Sequence, residues 1–88
     1  MKFLAVCTPR KDAPMDRFGA LVLDEAEALR SLKSQGSLEE AWSPGRPGAV
    51  LILEATSESE AGDIVARLPL AVAGLIEFEL TPLHDLGI

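Results

Sequence analysis

Two stretches of this chain are apolar on both of their alternating faces, and this limits the folds that the chain can adopt. Residues 2–8 (KFLAVCT) and residues 49–55 (AVLILEA) have the length and the aliphatic, β-branched content of strands. Successive side chains of a strand point to opposite sides of a sheet, so strands of this kind must be buried on both sides. Any fold for this chain therefore needs a cover for each face of its sheet.

These two strands belong to a longer series of strand and helix patterns. The series has the order β-α-β-β-α-β, and its segments are residues 2–8, 17–36, 37–43, 49–55, 56–68 and 74–83. This order predicts an α+β fold of the ferredoxin-like type, in which two helices cover one face of a four-stranded antiparallel sheet. The 88 residues suffice for a single domain of this kind, spanning residues 1–88.

Both predicted helices carry signals at their ends. In the first helix, Asp16 is a candidate N-cap and Gly36 is a natural C-terminal stop. The second helix opens with Ser57 and has Glu60 three residues later, which is the spacing of a capping box. Pro69 is expected to end this second helix, because a proline inside a helix removes a hydrogen bond and clashes with the preceding turn.

The two helices leave the other face of the sheet uncovered. Hydrophobic residues make up 48% of the chain. A domain of this size buries only a little over ~60% of the surface that its unfolded chain exposes, so part of the apolar surface would remain in contact with water. Packing the uncovered faces of two chains together would bury the surplus. We therefore expect a homo-oligomer, either a dimer or a larger ring built on dimers.

Charge and residue content exclude several classes of partner. The net charge of −6 argues against nucleic acid, because phosphate binding needs a surplus of Lys and Arg. One cysteine and one histidine cannot form a Cys/His metal site, and no Gly-rich phosphate loop is present, so we expect no metal and no cofactor. No stretch approaches the ~20 apolar residues that span a bilayer, and the opening apolar run stops at Thr8, too short for a signal peptide. We expect a cytoplasmic protein without membrane contact.

Three basic residues, Arg10, Lys11 and Arg17, lie in or beside an early loop that contains two prolines. They do not form a helical stripe of the kind that follows a phosphate backbone. The loop could attract a small anion, and the alternative is that these are solvated loop charges.

Glu25 occupies an unusual position in the first helix. A rotation of ~100° per residue places it between Leu21 and Leu29, on the apolar stripe that should meet the sheet, whereas Asp24 and Glu27 point away. Burial of a carboxyl group raises its pKa, and a carboxyl that titrates closer to neutrality can act as a general acid or base. Glu25 is therefore the candidate catalytic residue. The alternative is that it reaches an edge of the helix or pairs with an arginine.

Trp42 and Arg46 are the candidate substrate-binding residues. Trp42 is the single tryptophan and stands just before a Pro/Gly turn that carries Arg46. Trp42 could form the wall of a pocket, while Arg46 could hold a substrate carboxylate through two parallel hydrogen bonds. The alternative for Trp42 is that it fills a core or an interface.

Over most of its length the chain resembles the muconolactone isomerase family. The shared pattern is a helix ending in glycine, a tryptophan six residues later, a Gly-Arg or Gly-His turn, and segments closed by LPL and TPL; here these are Gly36, Trp42, Gly45-Arg46, 68–70 and 81–83. The resemblance implies a ferredoxin-like subunit in oligomers built from dimers. It also implies cofactor-free movement of a proton and a double bond within a small unsaturated lactone acid. The family's helix glutamate aligns with Glu25.

Two hypotheses for the function follow. The first is a cofactor-independent isomerase in which Glu25 is the acid and base, Arg46 the carboxylate anchor and Trp42 a pocket wall. The second is a non-catalytic module of the same fold that binds a small ligand or serves in assembly. Glu25 favours the first hypothesis, and Val22, at a position where the family carries a basic residue, favours the second.

Overall fold

The computed structural model describes residues 1–88. It contains four strands and three helices in the order β1 (Lys2–Pro9), α1 (Met15–Gln35), β2 (Leu38–Trp42), β3 (Ala49–Glu54), α2 (Glu58–Ala66), α3 (Pro69–Val72) and β4 (Ile76–Leu83). The strands form one antiparallel sheet with the order β2-β3-β1-β4. The predicted ferredoxin-like arrangement is confirmed, and α3 is an element that the sequence pattern did not predict.

The ends of α1 show one correct and one wrong prediction. The N-cap is Pro14, not Asp16. Asp16 lies in the first turn, where its negative charge interacts favourably with the positive end of the helix dipole. Gly36 ends the helix as predicted, with φ of 84°. The next amide, that of Ser37, donates to the carbonyl oxygen of Leu32 at 2.9 Å, which completes a Schellman motif.

The start of α2 follows the predicted capping box in part. Ser57 Oγ accepts the amide of Glu60 at 3.1 Å, as predicted. The carboxylate of Glu60 accepts the hydroxyl of Thr56 at 2.7 Å instead of reaching back to Ser57. Pro69 does not end α2, which already stops at Ala66; it begins α3, because the fixed φ of proline suits the first position of a helix.

The side of the sheet that faces the helices holds the core. Phe3 and Ala5 of β1 and Leu51 and Leu53 of β3 are almost fully buried there. On β4, Phe78 and Leu80 pack against this core, while Glu77 and Glu79 point to the exposed side, as the alternation of β4 predicts. The core therefore lies between the sheet and the three helices.

The opposite side of the sheet, which we call the open face, has no cover within the chain. Leu4 pairs with Ile52 and Val6 pairs with Val50, and all four side chains are partly exposed. Trp42 of the edge strand pairs with Val50, so its ring extends the same apolar row. None of the helices is long and apolar enough to cross a membrane.

Candidate active site

A cavity of about 320 Å³ lies between α1, α3 and the helix-facing side of the sheet. Nine of its thirteen lining residues are hydrophobic, among them Phe18, Leu29, Leu51, Leu68, Leu70 and Ile76. Pockets for small organic ligands commonly have ~300–1,000 Å³ and mostly apolar walls. This cavity is therefore large enough for a small ring compound.

Glu25 is the one charged side chain among the lining residues. It is half-buried and has no basic side chain within ion-pair distance. Burial raises the pKa of its carboxyl above the ordinary value, while a hydrogen bond from the backbone of Leu70 opposes that shift. The helical stripe that singled out Glu25 in the sequence thus places it where a carboxyl group holds a proton more readily than in water.

The hydrogen bond to Glu25 comes from the start of α3. The Leu70 amide donates to Glu25 Oε1 at 3.0 Å. Leu70 follows Pro69 at the beginning of a helix, where backbone amides have no partner within the helix itself. Glu25 therefore also fixes the position of α3 against α1.

Cys7 lies beside Glu25 on the cavity wall and is only 4% exposed. Burial, with a contribution from the charge of Glu25, raises the pKa of its thiol to about 11. A thiol is nucleophilic only when it is ionised, so Cys7 remains a protonated, apolar wall residue near neutral pH. This agrees with its expected place in the buried first strand.

The structure separates Trp42 from Glu25. Trp42 lies on the open face with 63% of its surface exposed, and its Nε1–H donates to Glu40 Oε1 at 2.8 Å. It does not line the cavity of its own chain. A bulge between Leu38 and Glu40 reverses the alternation of β2, which sends Trp42 to the side opposite the buried Leu38.

Arg46 does not line the cavity, but it is adjacent in sequence to residues that do. It is exposed in the turn between β2 and β3, and the next two residues, Pro47 and Gly48, line the cavity. Gly48 has φ of 130°, and a Cβ atom there would lie 2.4 Å from the carbonyl oxygen of Cys7. This turn can pass close over the end of β1 because residue 48 has no side chain.

Several cavity residues were not singled out from the sequence. Phe18 precedes Glu25 by seven residues, a spacing that places both on one helical face, so the periodicity of α1 contained this signal. Nothing in the sequence indicated that Leu70 or its amide would line the cavity, because α3 has only four residues and shows no periodicity. No group of three or more His, Cys, Asp or Glu side chains comes together to hold a metal ion.

The fold and the site together define a class: small ferredoxin-like chains with a lone carboxyl in an apolar cavity between the long helix and the sheet. The sequence model of the family described as muconolactone delta-isomerase matches residues 1–86. The chain therefore belongs to the muconolactone delta-isomerase family.

Solved structures are similar to this chain along nearly all of its length. A crystal structure of muconolactone isomerase superposes with a TM-score of 0.79 at 22% identity, covering 99% of this chain and 92% of that one. The 5-chloro-2-hydroxyhydroquinone dehydrochlorinase of Burkholderia phenoliruptrix AC1100, in complex with 2,5-dihydroxybenzoquinone, superposes with a TM-score of 0.77 at 21% identity, covering 96% and 94%. At these identities the likeness shows the fold. A comparison with curated protein sequences finds no match.

Proposed function

We propose that this protein is a cofactor-independent isomerase that moves a proton and a double bond within a small unsaturated lactone or carboxylic acid. The observation that carries the proposal is the position of Glu25, a half-buried carboxyl in an otherwise apolar cavity of about 320 Å³. Membership of the muconolactone delta-isomerase family supports the same reaction class.

Glu25 can perform both halves of such a reaction. Its carboxylate takes a proton from a carbon conjugated with the substrate's carbonyl, and the electron pair left behind delocalises onto the carbonyl oxygen. The resulting carboxylic acid then returns the proton to a different carbon, which moves the double bond and restores the carboxylate. A raised pKa suits this cycle, because the group must both accept and release the proton near neutral pH.

The surroundings of Glu25 favour transfer within the cavity over loss of the proton to solvent. The Leu70 amide holds Oε1, which leaves Oε2 without a hydrogen bond from the protein and free to meet the substrate. The apolar walls exclude water from the intermediate. One carboxyl oxygen is thus positioned by the fold and the other is available for chemistry.

Arg46 and Trp42 have different places in this proposal. Arg46 precedes two residues of the cavity wall, and we assign it the substrate's carboxylate. Trp42 lies on the opposite side of the sheet, so a role as a pocket wall requires a cavity to which a second subunit contributes. We propose that two chains pack through their open faces and that the homo-oligomer is cytoplasmic.

The second candidate function is a non-catalytic module that binds a small ligand or serves in assembly. The observation that favours it is the hydrogen bond between Leu70 and Glu25, because a carboxylate that holds α3 in place has a structural role without any reaction. Removal of the charge at Glu25 distinguishes the two functions.

The test compares Glu25→Gln with the wild-type protein on a panel of unsaturated lactone acids that begins with muconolactone. Exchange of carbon-bound hydrogen in D₂O and movement of the double bond are both followed by NMR. We expect the variant to lose about 100- to 10,000-fold in rate, the usual contribution of a positioned general acid or base. A carboxyl-carbon titration of the wild type should give Glu25 a pKa above the ordinary value.

The matched control is Glu27→Gln, on the solvent side of the same helix, where the Glu27 side chain is 81% exposed. The control should retain the wild-type rate and the wild-type circular dichroism spectrum. Wild-type turnover in the Glu25→Gln protein would remove the acid–base role. A wild-type protein that exchanges no carbon-bound hydrogen on the whole panel would favour the non-catalytic module.

A further inference from the structure

We infer that Arg10, Lys11 and Arg17 form a basic rim at the mouth of the cavity and bind the carboxylate of an anionic substrate whose unsaturated part enters toward Glu25. The inference rests on the proposed function and names the charge that its substrate must carry. It also assigns these residues a role in selecting that substrate, in addition to Arg46.

The topology brings the rim to the end of the sheet at which the cavity opens. Pro9 is opposite Ile76 and Cys7 is opposite Ala49 in the sheet, so the connections 10–14, 43–48 and 73–75 all leave the sheet at the same end. The Arg10 amide donates to the carbonyl oxygen of Leu75 at 2.8 Å, which ties the first of these connections to the start of β4. This hydrogen bond fixes the backbone of Arg10 at that end of the sheet.

Two of the three rim residues, Arg10 and Arg17, are covalent neighbours of cavity residues. Arg10 follows Pro9 and Arg17 precedes Phe18, and both Pro9 and Phe18 line the cavity. Arg10, Lys11 and Arg17 themselves line a separate shallow depression of about 240 Å³, which also includes Asp12. A ligand that contacts both the apolar walls and the cationic side chains must extend from the cavity into this neighbouring depression.

None of the rim side chains forms an ion pair within the chain. The ion pairs of the chain join the N-terminus to Glu54, Lys2 to Glu39, and Arg30 to Glu27. Asp12 and Asp16 are close to the rim in sequence, yet neither carboxylate lies within 4.0 Å of a rim nitrogen. Arginine and lysine side chains without partners are free to accept an external carboxylate.

The distribution of charge along the chain gives the rim a further effect. The protein carries a net charge of −6, which repels an anion at a distance. Three of the eight basic residues, Arg10, Lys11 and Arg46, nevertheless lie in connections at this end of the sheet, and a fourth, Arg17, lies in the first turn of α1. A local concentration of positive charge at a cleft attracts an anionic ligand into the cleft.

The inference is tested by calorimetric binding of benzoate, a small ring with a carboxylate, and of benzyl alcohol, a neutral compound of similar size. The variant is Arg10→Gln/Arg17→Gln, and the control is Arg30→Gln/Lys33→Gln, which removes the same charge from the part of α1 farther from the mouth. Loss of a charge-assisted contact should weaken benzoate binding about tenfold. Benzyl alcohol binding should not change, and the control should bind both compounds as the wild type does.

Benzoate binding to the wild type should also weaken as salt is added, because the rim is exposed. Equal affinity of the rim variant and the wild type for benzoate would overturn the inference, and so would failure of the wild type to bind benzoate. The binding experiment does not depend on turnover, so it decides about the rim even if no isomerase activity is found. If activity is found, the rim variant should raise KM for the acid and leave kcat and the KM for its methyl ester unchanged.

Discussion

The two sides of the sheet have similar sequences and different surroundings. On the helix-facing side, Leu51 and Leu53 of β3 are almost fully buried, and a cavity with one carboxyl lies above them. On the open face, Val50 and Ile52 of the same strand remain partly exposed. Alternation along one strand therefore supplies both a core and an apolar surface without a cover.

This difference places the proposed catalytic site and the proposed assembly surface on opposite sides of the sheet. Burial on the helix-facing side raises the pKa of the Glu25 carboxyl. On the open face, Trp42, Val50 and Val6 form an apolar row that ends at Glu79 of β4, so this face has an apolar centre and a charged edge. We expect the two sides to respond differently to substitution.

The largest expected difference is between alanine substitutions at adjacent positions of β3. Leu53→Ala should lower the free energy of unfolding by about 2–5 kcal/mol, as deletions in a closed core do. Leu53 is fully buried within one chain, so this cost should not depend on protein concentration. Ile52→Ala should cost less at high dilution and more at concentrations at which the open face is covered by a second chain.

Chemical denaturation at several protein concentrations measures both effects. If Ile52→Ala has the same small cost at every concentration, the open face remains exposed to water and the proposed oligomer is wrong.

The next effect concerns the turn that closes the cavity beside Cys7. Gly48→Ala should destabilise the fold by about 1–3 kcal/mol, because the new methyl group meets backbone and the residue has a strained φ. Gly45→Ala is the matched control: its φ is also positive, at 79°, but no atom lies within 4 Å of the added Cβ. Thermal unfolding of the two variants should show the larger loss for Gly48→Ala, and equal losses would mean that the turn does not pass close to β1.

A smaller effect should appear in the fluorescence of Trp42. Trp42 is the single tryptophan and lies on the open face, so its emission reports on that side alone. Dilution should shift the emission maximum to longer wavelength as two chains separate and water reaches the ring. Val6→Asp, which introduces a charge into the same row, should show the long-wavelength emission at all concentrations, and sedimentation should follow the same dependence.

The smallest expected effect is the pH dependence of stability due to Glu25. The folded protein raises the pKa of this carboxyl, so the folded state binds the proton more tightly than the unfolded state does. The stability of the wild type relative to Glu25→Gln should therefore fall as the pH rises from the ordinary glutamate pKa through the raised value, and should then remain constant. Thermal melts of both proteins across this pH window measure the difference in their stabilities. If the stability of the wild type relative to the variant rises with pH instead, the fold stabilises the charged carboxylate.

The features that could be predicted from the sequence are those determined by local periodicity. The alternation of apolar residues predicted which side chains of β1, β3 and β4 lie on each side of the sheet. The helical period predicted that Glu25 points toward the sheet. The side on which Trp42 lies could not be predicted, because a single bulge in β2 changes it. The partner of Glu25 could not be predicted either, because Leu70 is 45 residues away and lies in a helix too short to have a period.

The hydrogen bond from Leu70 to Glu25 has a practical consequence for observing this protein. Protonation of a carboxylate removes the negative charge from the group that accepts the hydrogen bond. The donor amide then experiences a different electric field. The backbone signal of Leu70 in a nitrogen–proton correlation spectrum should therefore follow the charge on Glu25, although the two residues are far apart in sequence. This single amide is a built-in spectroscopic reporter, which can show whether a ligand changes the charge on Glu25 without any label on the carboxyl group itself.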